Sequence, residues 1–114
     1  MRNLGQNQES IQASNRALLL ELLRSEGECS RADLAKLSGL QPATVTYIVN
    51  DFILRGIMEE TGLKSGARGR RSISLRITDQ HYAVLAIRIT RTGFSAGIFT
   101  LNGRSIQTAD YPYP

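Results

Sequence analysis

Between Lys64 and Arg76 the chain carries five basic residues and no acidic one, and three of them, Arg68, Arg70 and Arg71, flank Gly69. Guanidinium groups grip phosphate oxygens through several donors, and they are drawn into narrow A·T-rich minor grooves, where the negative potential is enhanced. A glycine among them lets the backbone lie close to the surface it binds. The chemistry open to this segment is recognition of a polyanion. Arg68 and Arg70 are assigned to minor-groove insertion, Lys64 and Arg71 to phosphates, and Gly69 to the close approach. The alternative is a solvated basic loop with no partner.

A second polar set lies upstream. Gln41, Pro42, Ala43, Thr44, Thr46 and Tyr47 open a stretch in which Val45, Ile48, Val49 and Phe52 recur at i, i+3, i+4 and i+7. That spacing predicts a helix with the four apolar residues inward, so Ala43, Thr44, Tyr47 and Asn50 fall outward with Thr46 at the border. A glutamine amide can pair bidentately with adenine, threonine can meet a thymine methyl or a base edge, and the hydroxyls of Thr46 and Tyr47 suit phosphates. The alternative here is an ordinary solvated helix face. Asn15, Arg16, Ser30 and Arg31 stand at the starts of two further helices, where unpaired N–H donors favour phosphate.

Positioning these groups takes three helices and a hairpin. The Gln- and Asn-rich residues 1–13 show no apolar period and are expected to form a flexible lead-in. Ala17, Leu18, Leu20, Leu22 and Leu23 predict a first helix over about Ser14 to Ser25, ended by Glu26-Gly27-Glu28. Ser30 caps a short second helix with Asp33 as its capping-box acid, Leu34 and Leu37 face inward, and Gly39 ends it. Pro42 suits the first turn of the third helix, which Gly56 closes.

Beyond Gly56 the period changes to that of strands. Residues 57–61 and the alternating Ser72 to Ile77 flank the Gly- and Arg-rich loop as a hairpin. Three more strands follow, at Val84 to Ile89, Phe94 to Leu101 and Arg104 to Ala109. Asn102-Gly103 is expected to form a type I′ turn, and Tyr111-Pro112-Tyr113-Pro114 to end the ladder. A three-stranded meander has little against which to bury its second face, so this portion is expected to be incomplete or completed by a partner chain.

Composition narrows the function further. The 114 residues are 41% hydrophobic and 21% charged, with a net charge of +4, as in a soluble folded protein able to bind a polyanion. The single cysteine, Cys29, can form no internal disulfide and suggests no zinc site, and His81 has no ligand pattern around it. No metal, cofactor or catalytic group is expected. With no apolar run near the roughly 18 residues of a membrane span, and no signal-peptide core, the expected location is cytoplasmic.

The order of these pieces resembles the ROK group of sugar-responsive repressors and sugar kinases, and in particular its repressors of the xylose and N-acetylglucosamine utilisation type. The resembling elements are Asn15-Arg16 before Leu18-Leu19, Ser30 to Ala35, Ser38-Gly39-Leu40, Ala43 to Val49, Leu54 to Ile57, and Gly69-Arg70-Arg71 before Ile73-Ser74-Leu75. The resemblance implies an actin-like sugar-binding domain after the winged one, of which Tyr82 to Ala109 would be the opening. Where kinase members carry an aspartate and a glycine pair for ATP phosphates, this chain has Ile87-Arg88-Ile89-Thr90-Arg91-Thr92-Gly93. Arg88 in place of the acid, and the missing glycine pair, argue against phosphoryl transfer.

The expected fold is α+β: a winged helix-turn-helix of three helices plus a β-hairpin wing over 14–78, followed over 79–114 by a short β-meander that begins an actin-like domain. The expected function is sequence-specific binding of double-stranded DNA as a sugar-responsive regulator, a repressor, with the third helix in the major groove and the wing in the minor groove. Two copies are expected on an A·T-rich pseudo-palindromic operator, as a homodimer or higher homo-oligomer, with the sugar effector reserved for the full-length protein. The alternatives are a winged-helix module for protein assembly and a fragment of a sugar kinase.

Overall fold

The computed structural model describes residues 4–65 and 71–114. Arg68, Gly69 and Arg70 of the expected wing tip lie outside the described residues, as do the side chains of Lys64 and Arg71. The chain divides into two compact units, 1–77 and 78–114.

The first unit runs α1 (Leu4–Glu26), β1 (Cys29–Ser30), α2 (Arg31–Ser38), α3 (Pro42–Leu54), β2 (Met58–Ser65) and β3 (Arg71–Ile77). Leu19 and Leu23 of α1, Leu34 of α2, Val45, Ile48, Val49 and Phe52 of α3, Met58 of β2 and Leu75 and Ile77 of β3 are all buried in one core. Within α3 the buried positions follow the helical period, so one side of the helix faces the core and the opposite side faces outward.

Local signals set the ends of these helices. The Ser30 hydroxyl accepts from the Asp33 N–H and the Asp33 carboxylate accepts from the Ser30 N–H, each at 3.1 Å, closing the expected capping box on α2. Gly39 ends α2 at φ 73°, a left-handed conformation that glycine adopts without penalty, and its N–H reaches the Ala35 carbonyl. Pro42 occupies the first turn of α3, and the Gln41 carbonyl accepts the first helical bond from Val45 N–H at 3.1 Å.

Three features differ from expectation here. The expected lead-in is helical from Leu4, because no proline or further glycine interrupts residues 6–26 and Gln, Glu and Ala sustain a helix once its C-terminal half is anchored. Residues exposed on every side carry no apolar period and so look unstructured. Leu37, expected inward, is 51% exposed, since eight residues of helix give α2 room to bury only Leu34. Cys29, just before α2, is part of a strand that was not expected: β1 pairs antiparallel with β3, Cys29 opposite Leu75 and Ser30 opposite Ser74. Burial raises the Cys29 thiol to about 11, with the nearby Asp33 and Glu26 charges adding to the effect, so it stays protonated and unreactive at neutral pH.

The sheet order is β1-β3-β2, and β2 and β3 pair from Met58↔Ile77 to Ser65↔Arg71. The hairpin is longer than expected on the β2 side, because a bulge at Thr61, between the Glu60↔Leu75 and Gly62↔Ser74 pairs, carries the ladder on to Ser65.

The second unit is an antiparallel meander of β4 (Ala83–Ile89), β5 (Gly93–Thr100) and β6 (Ser105–Pro112), in the order β4-β5-β6. Phe94 and Tyr111 sit opposite each other and stack at 4.8 Å, and Ser95 donates to Asp110 across the same pair of strands at 2.6 Å. Gly93 admits no side chain, because a Cβ there would lie 2.4 Å from the Tyr111 carbonyl oxygen.

Two expectations are corrected in this unit. The β5–β6 turn begins one residue earlier than a type I′ turn at Asn102-Gly103: Gly103 N–H donates to the Thr100 carbonyl and Thr100 N–H to the Arg104 carbonyl, so Leu101, Asn102 and Gly103 form the loop. Gly103, at φ 87°, takes the left-handed position that ends such a loop. The ladder does not stop before Tyr111, for Tyr111 and Pro112 pair with Phe94 and Gly93. Proline is tolerated because β6 is an edge strand, where the missing donor breaks no ladder.

Replacing Leu34 with Ala should cost about 2–5 kcal/mol of stability, because the site is sealed between helices. Ser30→Ala should cost about 1 kcal/mol through loss of the cap. Urea unfolding followed by helical circular dichroism checks both, and a Ser30→Ala variant as stable as the parent would contradict the role given to the cap.

Candidate nucleic-acid interface

The outward side of α3 presents the residues expected to read DNA. Gln41, Pro42, Ala43, Thr46 and Tyr47 are exposed, Tyr47 to 72%, and Thr44 is half-buried. Gln41 sits in an extended conformation before the helix and makes no capping bond with its side chain, leaving the amide directed at solvent. A helix with one sealed side and one side of amide, hydroxyl and small groups has the shape and chemistry for a major groove.

The first turn of α3 is flanked by α1. A cleft of about 340 Å³ between them is lined by Gln12, Asn15 and Arg16 of α1 and by Ala43, Thr44, Tyr47 and Ile48 of α3. The fold thus brings two of the four expected phosphate contacts, Asn15 and Arg16, beside the expected reading residues. Arg16 is held there from several sides: it donates to the Asp51 carboxylate, and its guanidinium carbon lies 4.9 Å from the centre of the Phe52 ring. Arg55 bonds the same carboxylate at 2.9 Å. The Arg16 hydrogen bond is the main influence that holds Asp51 below its ordinary carboxyl range; burial opposes it and Arg55 adds to it.

The other pair marks the N-terminus of α2. Arg31 is shared between the Asn50 amide oxygen at 2.8 Å and the Glu60 carboxylate at 3.1 Å, so one guanidinium ties α2 to α3 and to the base of the wing. Ser30 is 6% exposed and engaged in the cap. Arg16, Ser30 and Arg31 all have partners inside the domain, then, whereas expectation placed them at phosphates. Lys64 and Arg71 stand on the last pairs of the β2–β3 ladder, opposite Ser72 and Ser65, next in sequence to the residues outside those described.

Sequence reasoning left out Gln12, Asp51 and Glu60. Gln12 was legible in principle: counted back from Leu23 and Leu19 at helical spacing, the core stripe of α1 arrives at Asn15, Arg16 and Gln12. Asp51 and Glu60 gave no such signal, because their partners Arg16 and Arg31 lie 35 and 29 residues away.

Residues 14–66 match a family described as winged helix-turn-helix DNA-binding, and with the helices, turn and hairpin above they constitute a winged helix-turn-helix DNA-binding domain. The chain is 29% identical over 108 residues to the DNA-binding transcriptional dual regulator NagC of Escherichia coli strain K12, across 95% of this chain and 27% of that protein. It is 31% identical over 84 residues to the DNA-binding transcriptional repressor Mlc of the same organism, across 73% of this chain and 21% of that one. A crystal structure described as a ROK family transcriptional regulator, homologous to Mlc, superposes with a TM-score of 0.67 at 26% identity, over 90% of this chain and 26% of that chain. The chain is homologous to the ROK-family regulators NagC and Mlc, as the resemblance from Asn15 to Ile77 implied, and it spans 21–27% of the length of these curated relatives. Among the described residues no helix is long and apolar enough to cross a membrane.

Because the folded pKa of Asp51 is depressed, the stability it contributes is complete above the ordinary carboxyl pKa and is lost as pH falls through the lower folded value. Asp51→Asn should therefore be less stable than the parent at neutral pH, and the difference should begin to close only below about pH 4 and vanish once the pH is under the lower folded value. Chemical unfolding at both pH values checks this; a difference that persists unchanged in acid would place the loss elsewhere than in the ion pair.

Proposed function

We propose that this chain is the operator-reading part of a sugar-responsive transcriptional repressor. Gln41, Pro42, Ala43, Thr44, Thr46 and Tyr47 enter the major groove, Arg68 and Arg70 enter the flanking minor groove beside Gly69, and Lys64 and Arg71 hold phosphates. Asn15 and Arg31 add phosphate contacts, while Arg16 and Ser30 act mainly by fixing α1 and α2. The observation that carries this reading is the exposure of the Gln41 to Tyr47 side of α3 while Val45, Ile48, Val49 and Phe52 are sealed in the core. Without that division the helix could not occupy a groove.

The sugar-responsive part of the proposal is supported by the name of a relative. The protein called N-acetylglucosamine repressor in Shigella flexneri, 29% identical over 108 residues, carries the sugar and the repression in its name. For the present chain a sugar or sugar derivative acts on the rest of a longer protein, two copies bind an A·T-rich pseudo-palindrome in the cytoplasm, and no catalysis is involved.

Selection of bound sites from random duplexes, repeated at about 50 and 200 mM salt, tests this directly, because several phosphate contacts make affinity fall by at least tenfold between those concentrations. Combined Arg68→Ala and Arg70→Ala should weaken binding roughly tenfold to hundredfold and relax the A·T preference. Unchanged affinity and selectivity in that double variant would remove the wing from the interface, and salt-insensitive binding of the parent would favour protein assembly instead.

A further inference from the structure

The part of α1 that projects beyond the core has a composition its neighbours do not explain. Followed towards the N-terminus, the side of α1 that buries Leu23 and Leu19 continues through Asn15 and Arg16 to Gln12, and by the same spacing to Gln8. Apart from Arg16, apolar side chains give way to uncharged amides along one stripe at the level where α1 passes the first turn of α3. Had this stretch only to remain soluble, charged residues would serve; had it to pack on another helix, apolar ones would continue.

The cleft there is defined on one side by Gln12 and Asn15 and on the other by Ala43, Thr44 and Tyr47. Its one cation, Arg16, is already matched to Asp51. An adjoining cleft, lined by Glu9, Gln12, Ala13, Arg16, Tyr47, Asp51 and Arg55, brings in the carboxylates Glu9 and Asp51 and the second guanidinium, Arg55. The amide-lined cleft is therefore nearly neutral and open beside the major-groove side of α3, with amide and hydroxyl groups set among apolar surface. Amide N–H groups of Asn and Gln, with the hydroxyls of Thr and Tyr, are regular donors to phosphate and sugar oxygens, and such contacts set register without reading sequence.

Building on the DNA-binding reading above, we propose that the cleft between α1 and α3 seats the sugar-phosphate backbone of one strand, with Gln12 the principal donor and Asn15 its neighbour. The projecting half of α1 then works as a spacer that sets how deeply α3 enters the groove. Neutral donors displace few counterions, so this contact adds affinity while leaving the salt dependence to the basic residues, Arg31, Lys64, Arg68, Arg70 and Arg71.

The test compares the parent with Gln12→Ala and Gln12→Glu on a duplex recovered by selection from a random pool, at about 50 and 200 mM salt. Alanine favours helix at this exposed position, so folding is preserved, which thermal melting of each variant verifies. Gln12→Ala should bind about fivefold more weakly, with the same salt slope and the same selected sequence. Gln12→Glu, which sets a carboxylate against phosphate, should lose on the order of tenfold or more. If both variants bind like the parent, the seat is not used, although the DNA-binding reading stands. If Gln12→Ala changes the selected sequence at one position, Gln12 reads a base and the backbone assignment falls. A parent that binds no duplex at any salt concentration overturns both readings together.

Discussion

Burial of one side of α3 is the constraint on which the first unit depends. Val45, Ile48, Val49 and Phe52 leave water together, as do Leu19 and Leu23 of α1, Leu34 of α2 and Leu75 of β3. A helix held along one stripe cannot rotate about its axis without exposing that stripe, so its outward residues are aimed by the core rather than by contacts of their own. The same burial fixes the strand that follows, since Met58 enters the core shortly after α3 ends and starts the wing ladder opposite Ile77.

Polar contacts refine what the core has placed. Arg16, Asp51 and Arg55 join α1 to the C-terminal end of α3, and Arg31 joins α2 to Asn50 and Glu60. These pairs are partly exposed, so each adds modestly to stability. Their effect is geometric: the relative placement of α1, α3 and the wing base decides whether groove-facing groups on separate elements can meet one duplex. Several cations of the helical part are thus matched within the domain, while the run from Lys64 to Arg71 has no acid in its own sequence to answer it.

The second unit is built on another principle. Its strands pair along their whole lengths, yet Leu85, Ile87 and Ile89 of β4 remain exposed, so backbone hydrogen bonds and cross-strand pairs such as Phe94 with Tyr111 dominate over core burial. Close passage of β5 and β6 excludes any side chain at Gly93.

Local chemistry was legible in the residues themselves. Ser30 and Asp33 fixed the start of α2, Gly39 its end, Pro42 the start of α3, and the spacing of Val45 to Phe52 the buried side, because each depends on groups only a few residues apart. The family resemblance, from Asn15 to Ile77, was legible for the same reason. Tertiary structure alone decided that α1 continues to Leu4, that Cys29 and Ser30 pair with β3, that Leu37 faces outward, and that Tyr111 and Pro112 extend an edge strand. It also decided that Arg16 and Arg31 find their partners in distant carboxylates. Contacts across tens of residues depend on how separately formed elements pack, and no local pattern encodes that packing.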